Sequence, residues 1–243
     1  MNVLEIFSSV QGEGKFVGCR QVFVRLAGCN LRCAYCDTNF NRADFCNVET
    51  FAGSMNFDKI KNPMDAAQVA EIVKKLCEEV PAHSVSFTGG EPLLSWKFIY
   101  DVATALKKFF DVKIFLETNG TLYDELEKVL DVIDIISADI KFPSVTGENL
   151  FSEHKKFLQI AQVKDLYVKA VISRETSLEE FLTAVEIVAE ISPSTLFVIQ
   201  PVTPVGKVQA AAPEKILTFQ SAALKILRDV RVIPQTHKLL KIF

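Results

Sequence analysis

The sequence lacks any apolar run long enough to span a membrane, and its first residues carry neither basic charge nor a signal-peptide core. Its net charge is only −3, which gives no basic surface for nucleic acid. Internal repeats and low-complexity linkers are also absent. These absences predict a cytoplasmic protein with one domain over residues 1–243, which binds neither membrane nor nucleic acid.

Cytoplasmic thiols stay reduced, so the six cysteines are interpreted as metal ligands or buried thiols rather than disulfides. Three of them, Cys29, Cys33 and Cys36, lie on one short loop with the spacing C-x3-C-x2-C. Thiolates hold iron–sulfur clusters, and a four-iron cluster needs four ligands. Three cysteines would leave one iron open, which favours chemistry over simple electron storage.

Two other metal sites compete with this interpretation. A zinc site needs four nitrogen or sulfur ligands, usually in two spaced pairs. Cys19 or Cys46 could supply the fourth ligand, but neither forms a second pair, and the three histidines are scattered. A plant-type ferredoxin has the spacing C-x4-C-x2-C, so the first gap is one residue short. A metal-binding scaffold without activity is the non-enzymatic alternative.

Helices and strands are predicted to alternate from about residue 60 onward, which indicates βαβ units and a mostly parallel sheet. The pattern gives about six or seven strands, fewer than the eight of a closed barrel. We therefore predict an α/β fold with a partial, splayed parallel barrel. The predicted strands are 22–26, 84–88, 112–116, 133–138, 166–172, 196–200 and 230–234, and the predicted helices are 65–79, 95–110, 123–130, 152–162, 178–190 and 213–227.

The polar and glycine-rich segments follow the predicted strands, where ligands bind in parallel α/β sheets. Residues 39–63 show little periodicity, so we predict an irregular insertion over the mouth of the site. This insertion could act as a lid over the site or as a binding surface for a reductase.

The cysteine loop resembles the radical S-adenosylmethionine (SAM) motif C-x3-C-x-Φ-C, with Tyr35 as the aromatic residue. The run T-G-G-E-P at 88–92 resembles the superfamily segment that contacts the methionine amino group of SAM. Residues 116–120 and 137–141 resemble later strand ends that contact SAM. Alone, Gly89-Gly90 would indicate only a turn with positive φ, and Glu91-Pro92 only a helix start. Glu91 could serve both the turn and the SAM amine.

This resemblance implies a [4Fe-4S] cluster on Cys29, Cys33 and Cys36, with SAM bound at the open iron. Reductive cleavage of SAM would give methionine and a 5′-deoxyadenosyl radical that abstracts hydrogen. The cofactor would supply this radical chemistry, and the protein would position the reactants. The implied cofactor contacts are Tyr35, Cys36, Asp37, Gly90, Glu91, Glu117, Asn119, Ser137, Asp139, Lys141 and Gln200.

The N-terminal segments Q-G-E-G at 11–14 and F-V-R at 23–25 closely resemble the 7-carboxy-7-deazaguanine synthases, as does P-Q-T-H-K at 234–238. That family rearranges 6-carboxy-5,6,7,8-tetrahydropterin with loss of ammonia, uses magnesium, and feeds queuosine and other deazapurines. The resemblance further implies a flavodoxin- or ferredoxin-like electron donor and a homodimer. A glycyl-radical activase has a similar length and cluster loop, but it needs a protein-binding surface instead of Q-G-E-G.

The resemblance also implies a set of substrate contacts, with Thr38 as the magnesium ligand. The implied substrate contacts are Val10, Gln11, Gly12, Glu13, Arg25, Thr88, His237 and the terminal Phe243. Carboxylates accept from paired N–H donors such as those of a pterin edge. A buried arginine needs an anion, and the substrate carboxylate can form a bidentate pair with it.

Each of these roles has a plainer alternative. Glu13 could be an exposed turn acid, and Thr38 could be a turn hydroxyl. Arg25 could form an internal salt bridge to Asp37 or Glu91. His237 could be a solvent-exposed residue near the end of the chain.

Overall fold

The computed structural model describes residues 1–242, which form one ten-stranded sheet with helices packed against it. The strands are β1 Val3–Val10, β2 Arg20–Leu26, β3 Phe45–Glu49, β4 Phe57–Lys61, β5 Ser84–Gly89, β6 Lys113–Thr118, β7 Ile135–Ile140, β8 Asp165–Ile172, β9 Phe197–Pro201 and β10 Val230–Val232. The helices are α1 Ala66–Glu79, α2 Trp96–Phe109, α3 Tyr123–Glu127, α4 Pro143–Thr146, α5 Phe151–Ala161, α6 Leu178–Ile191, α7 Pro213–Ala223 and α8 Thr236–Leu240. Two short 3-10 helices cover Gly14–Phe16 and Pro92–Ser95.

Seven of these strands form the predicted barrel. The strand order is β10-β9-β8-β7-β6-β5-β2-β1-β3-β4, and every neighbouring pair from β2 to β10 is parallel. The order ends at β10 on one side and β4 on the other, so within residues 1–242 the barrel stays open. The prediction of a splayed parallel barrel is confirmed.

Three further strands extend the sheet beyond the prediction. β1 runs antiparallel to β2, and β3 pairs with β1 and with β4. The prediction of an irregular segment is therefore wrong over 45–61, where the chain forms a hairpin. Its short strands have weak local signals, and pairing with β1 decides their conformation.

The helices cover the outer face of the barrel through regular apolar stripes. In α1, the capping box of Asp65 and Gln68 begins the helix one residue after the predicted start. Val69, Val73 and Leu76 from that helix are buried against the sheet. None of the helices in residues 1–242 is both long and apolar enough to cross a membrane.

A second, smaller apolar layer fills the barrel interior. It contains Phe115, Ile135, Tyr167, Leu196 and Val198, with Phe16 packed against it. Side chains alternate between the two faces of a strand, so positions two residues further along point inward above this layer. The apolar layer thus forms a floor, and the polar inward positions near the carboxyl ends of the strands form the site.

Candidate active site

A cavity of about 670 Å³ opens above the apolar floor. Its walls are the carboxyl ends of the parallel strands, the cysteine loop, the segment after β1 and the C-terminal segment. The predicted site residues that line it are Val10, Gln11, Gly12, Glu13, Arg25, Cys29, Cys33, Tyr35, Cys36, Asp37, Thr38, Thr88, Gly90, Glu117, Asn119, Asp139, Lys141, Gln200 and His237.

Three predicted contacts are not among these lining residues. Glu91 and Ser137 are buried behind the cavity wall, with side chains at most 1% exposed. Phe243 lies outside the described residues, so its predicted contact with substrate stays a prediction.

All three cysteines of the loop reach the cavity as free thiols. Gly28 turns the chain into the loop with a left-handed φ of 93°, and its N–H donates to the Phe40 carbonyl at 2.8 Å. Burial raises the pKa of Cys33 to about 11 and also raises that of Cys29. Because metal ligands must be thiolates, cluster binding at this loop releases protons.

The arrangement does not suit a single zinc ion. In the described part of the chain, no three His, Cys, Asp or Glu side chains form a group that could hold one metal ion. Cys19 and Cys46, the alternative fourth ligands, do not line the cavity. A four-iron cluster needs no such convergence, since each thiolate binds a different iron atom.

Two glycines let the end of β5 lie directly against the cysteine loop. A Cβ on Gly90 would lie 1.9 Å from the Gly28 carbonyl oxygen, and one on Gly89 would lie 2.2 Å from that of Leu26. Gly89 also has a left-handed φ of 126°. The glycine pair therefore serves both the turn and the close approach of two backbones.

Glu91 stabilises the wall of the site through a complete set of bonds. Its carboxylate accepts from the Leu93 N–H at 3.0 Å, the Thr118 hydroxyl at 2.9 Å and the Asn119 N–H at 2.7 Å. Burial outweighs these bonds and raises its pKa to about 7. Of the two roles expected for Glu91, the structure supports the one in the turn.

Asn119 connects the loop after β6 to the cysteine loop. Its amide donates to the Asn30 side chain at 2.8 Å and accepts from the Thr121 hydroxyl at 2.7 Å. Asn30 in turn donates to the Thr121 hydroxyl at 3.0 Å, which closes a ring of three side chains. Because Asn30 lies between two cluster cysteines, this ring fixes the loop that carries them.

The opposite wall contains two buried acceptors without a partner. Lys141 Nζ donates to Asp139 Oδ2 at 2.8 Å and to the Tyr35 hydroxyl at 3.3 Å. Asp139 Oδ1 and Gln200 Oε1 are buried without a partner. Buried acceptors of this kind are normally hydrogen-bonded, so a ligand with hydrogen-bond donors would complete the bonding of this wall.

Glu13 and Glu117 meet a buried lysine deep in the cavity. Lys169 pairs with Glu13 and donates to Glu117 Oε1 at 3.1 Å, while the Thr88 hydroxyl donates to Glu117 Oε2 at 3.0 Å. Gln235 donates to Glu13 Oε1 at 2.7 Å. The alternative that Glu13 is an exposed turn acid is therefore wrong, since its side chain is only 14% exposed.

Arg25 points into the cavity as predicted, but its ion pair is different from either alternative. Its Nε donates to Glu5 Oε2 at 2.8 Å, and the guanidinium carbon lies 5.7 Å from the centre of the Phe7 ring. Asp37 instead pairs with Lys238. The bond to Glu5 uses Nε rather than the two terminal nitrogens.

Gln11 has a structural task beside the cavity. Its amide nitrogen donates to Gln21 at 3.0 Å, and its oxygen accepts from the Glu13 N–H at 3.0 Å. These bonds fix the turn that carries Glu13, and they use the side-chain amide that was predicted to contact substrate.

The C-terminal segment closes the open side of the barrel. The Thr236 N–H donates to the Gly12 carbonyl at 2.9 Å, and His237 packs on Gly12 so closely that a Cβ there would lie 2.2 Å from Nδ1. The alternative that His237 is a solvent-exposed tail residue is wrong. Thr38 is half-buried at the same cavity.

Sequence reasoning missed Lys169, Glu5 and Gln235. For Lys169 there was a signal, because it is the lone charged residue within an otherwise apolar predicted strand at 166–172. Glu5 lies on the strand that was not predicted. Gln235 reaches Glu13 only through the fold, since the two residues are 222 positions apart in the sequence.

Comparison with known proteins agrees with this geometry. Residues 24–205 match the family model of the radical SAM superfamily. The chain is 40% identical over 238 residues to the 7-carboxy-7-deazaguanine synthase of Geobacter sulfurreducens, covering 96% of this chain and 94% of that one. It is 35% identical over 248 residues to the synthase of Methanocaldococcus jannaschii, covering 98% of each chain.

The open barrel and its three-cysteine loop thus define a radical SAM enzyme. Within that superfamily, the chain belongs to the family of 7-carboxy-7-deazaguanine synthases. Membership confirms a [4Fe-4S] cluster and SAM as cofactors and decides against the zinc scaffold and the activase. The fold is shared with the crystal structure of QueE from Escherichia coli, at a TM-score of 0.60 and 17% identity over 96% of this chain and 92% of that one.

Proposed function

We propose that the chain converts 6-carboxy-5,6,7,8-tetrahydropterin to 7-carboxy-7-deazaguanine, with loss of ammonia, in the cavity described above. The observation that carries this proposal is that one cavity joins the three cysteines to Glu13 and Arg25. When bound, the cluster and SAM supply a 5′-deoxyadenosyl radical for hydrogen abstraction. The chain's own task is to orient the substrate and to exclude water.

The substrate lies between two groups of opposite charge in this proposal. Glu13 and Glu117 accept from the N–H donors of the pterin, and the terminal nitrogens of Arg25 bind its carboxylate as a bidentate pair. His237 and Thr88 complete the wall. On the cofactor side, Asp139 and Gln200 offer acceptors, while the backbone at Gly90 lies beside the cysteine loop.

The deciding experiment is anaerobic reconstitution with iron, sulfide, SAM, reductant, magnesium and the carboxypterin. We expect 7-carboxy-7-deazaguanine by mass spectrometry. A variant with Cys29, Cys33 and Cys36 replaced by alanine should fold but bind no cluster, whereas Cys77→Ala, outside the cavity, should behave as wild type. An intact cluster without product would contradict the proposal.

We further propose Thr38 as the magnesium ligand. Mg²⁺ uses few protein ligands and completes its shell with water and substrate oxygens, and Thr38 presents a half-buried hydroxyl at the cavity. Thr38→Ala should raise the magnesium concentration needed for half-maximal rate by about tenfold, without a matching loss of SAM cleavage. Thr183→Ala, on the outer surface of α6, is the control. Unchanged magnesium dependence would contradict the assignment.

The remaining implications of the family are proposals as well. A flavodoxin- or ferredoxin-like electron donor is supported by the exposure of Cys36, which brings the cluster loop to the surface. The homodimer and the cytoplasmic location stay predictions, which sedimentation and cell fractionation can check.

A further inference from the structure

One buried lysine connects the carboxylates of the site. Lys169 on β8 is only 3% exposed. Its Nζ pairs with Glu13, lies 3.1 Å from Glu117 Oε1 and lies 3.8 Å from Asp139 Oδ2. These carboxylates come from three separate parts of the chain, so one ammonium group holds together the segment after β1, β6 and β7.

The lysine offsets a repulsion that the site would otherwise contain. Two carboxylates in one dry pocket repel each other, and one of them takes up a proton. The Lys169 ammonium prevents this. Burial alone would raise the pKa of Glu13, but attraction to Lys169 lowers it to about 2. The same carboxylates keep the pKa of Lys169 well above its ordinary value, despite burial.

Ionisation decides what the two glutamates can bind. An ionised carboxylate only accepts hydrogen bonds, whereas a protonated one also donates. A pterin edge presents N–H donors side by side, so it requires two acceptors at a fixed separation. Gln235 holds the other oxygen of Glu13, and Thr88 holds the other oxygen of Glu117. Lys169 contacts the remaining oxygen of each glutamate and so fixes the position of both carboxylates.

We propose that Lys169 is a positioning residue for substrate recognition, which keeps Glu13 ionised and holds it at a fixed separation from Glu117, so that both accept N–H donors from the pterin. The inference rests on the proposed function and adds a residue that acts through its neighbours. The charged and titratable groups that face Lys169 or its partners are Glu13, Glu117, Asp139, Tyr167, Lys141 and His237.

The test uses Lys169→Met in the reconstituted full chain, with KM and kcat for the carboxypterin measured from pH 6 to pH 8.5. We expect KM at pH 7 to rise about 30-fold, because a buried charge pair loses one partner. KM of the variant should fall as the pH rises, since buried Glu13 then ionises without the lysine. KM of the wild type should show no such slope. Iron content should be unchanged.

Two further variants distinguish positioning from a general loss of structure. Lys169→Arg retains the cation and should recover part of the affinity and remove the slope with pH. Lys15→Met is the matched control. It removes an ion pair in which Lys15 Nζ lies 2.5 Å from Asp165 Oδ1, and Asp165 is the exposed first residue of β8, the strand that carries Lys169. It should leave KM unchanged.

If Lys169→Met does not fold, the double variant Lys169→Met with Glu117→Gln removes one charge of each sign. It should bind the carboxypterin weakly and with only a shallow slope between pH 6 and pH 8.5, because Glu13 no longer has the Glu117 carboxylate beside it. Wild-type KM in Lys169→Met, or a steep pH slope in the double variant, would overturn the proposal. Equilibrium dialysis of the carboxypterin tests the same inference without turnover, so its failure is separable from failure of the proposed reaction.

Discussion

Buried polar residues in this barrel fall into two groups. Glu91 has bonds to both carboxylate oxygens within the chain, and it stabilises the wall. Asp139 and Gln200 each keep one buried oxygen without a partner, and both line the cavity. A buried acceptor without a partner costs free energy, so Asp139 and Gln200 would be stabilised by a ligand that donates hydrogen bonds to them.

His154 is a buried residue whose protonation should destabilise the fold. Its Nδ1 contacts the Gly120 carbonyl at 3.0 Å, and its Nε2 accepts from the Lys141 N–H at 3.0 Å. Burial lowers its pKa from 6.5 to about 4, because the protonated imidazolium would lose its hydration in the interior. The stabilising contribution is therefore complete above pH 6.5 and is lost as the pH falls through 4.

The prediction is that His154→Gln weakens the dependence of unfolding free energy on pH between 6.5 and 4. In the wild type this residue accounts for about 3 kcal/mol of that dependence. Urea unfolding at several pH values measures the slope. An equal slope in variant and wild type would show that His154 does not titrate as inferred.

Gly90→Ala should damage the site without unfolding the barrel. The added methyl group would overlap the Gly28 carbonyl, so the cysteine loop must move. We expect about a 100-fold loss of product formation, since small displacements of catalytic groups have effects of that size. Gly147→Ala adds the same methyl group outside the cavity, where nothing lies near it, and should keep full activity. Similar activities in the two variants would refute the steric explanation.

At the level of elements, the strands of the barrel could be predicted and the added strands could not. The strands at 84–88 and 133–138 are apolar runs followed by turn residues, so local pattern suffices. β3 and β4 depend on pairing with β1, which no local pattern contains. The same division applies to the site, since motifs identify Cys29 whereas Gln235 meets Glu13 only through tertiary structure.

The β3–β4 hairpin depends on one buried carboxylate. Glu49 accepts from the Ser8 N–H at 2.8 Å and the Met55 N–H at 2.9 Å, which joins the hairpin to β1. Glu49→Ala should lower the free energy of unfolding by about 2 kcal/mol, because the buried Ser8 N–H and the partly buried Met55 N–H lose their acceptor. Asp58→Ala, on the exposed edge strand β4, should change it by less than about 0.5 kcal/mol. Denaturant melts of both variants provide the comparison, and equal stabilities would contradict this role.

At the level of the whole molecule, the two ends of the described chain meet at the site. Gln235 donates to Glu13 and accepts from the Thr203 hydroxyl at 2.6 Å, while Thr236 bonds to the Gly12 carbonyl. The open side of the barrel is therefore covered by residues distant in sequence. The substrate pocket consequently depends on docking of the C-terminal segment.

Gln235→Ala should weaken substrate binding and leave the cluster intact. The loss of one charge-assisted hydrogen bond to Glu13 should raise KM about tenfold with little change in kcat. Gln162→Ala, which removes an exposed amide at the end of α5, is the control. Steady-state kinetics and iron analysis measure both effects. A fall in kcat at constant KM would indicate a different role for Gln235.

The apolar floor of the barrel also affects how fast backbone amide hydrogens exchange with solvent. Apolar residues such as Phe115 and Tyr167 cover the inner face of the central strands, and helices cover the outer face. Backbone amides in the buried middle of β6, β7 and β8 are shielded on both sides, so we expect their hydrogens to exchange with solvent through unfolding of the whole chain. Amides of the exposed edge strand β4 exchange through local opening. The cavity therefore lies next to the strands whose amide hydrogens exchange most slowly, and segments whose amide hydrogens exchange faster border it.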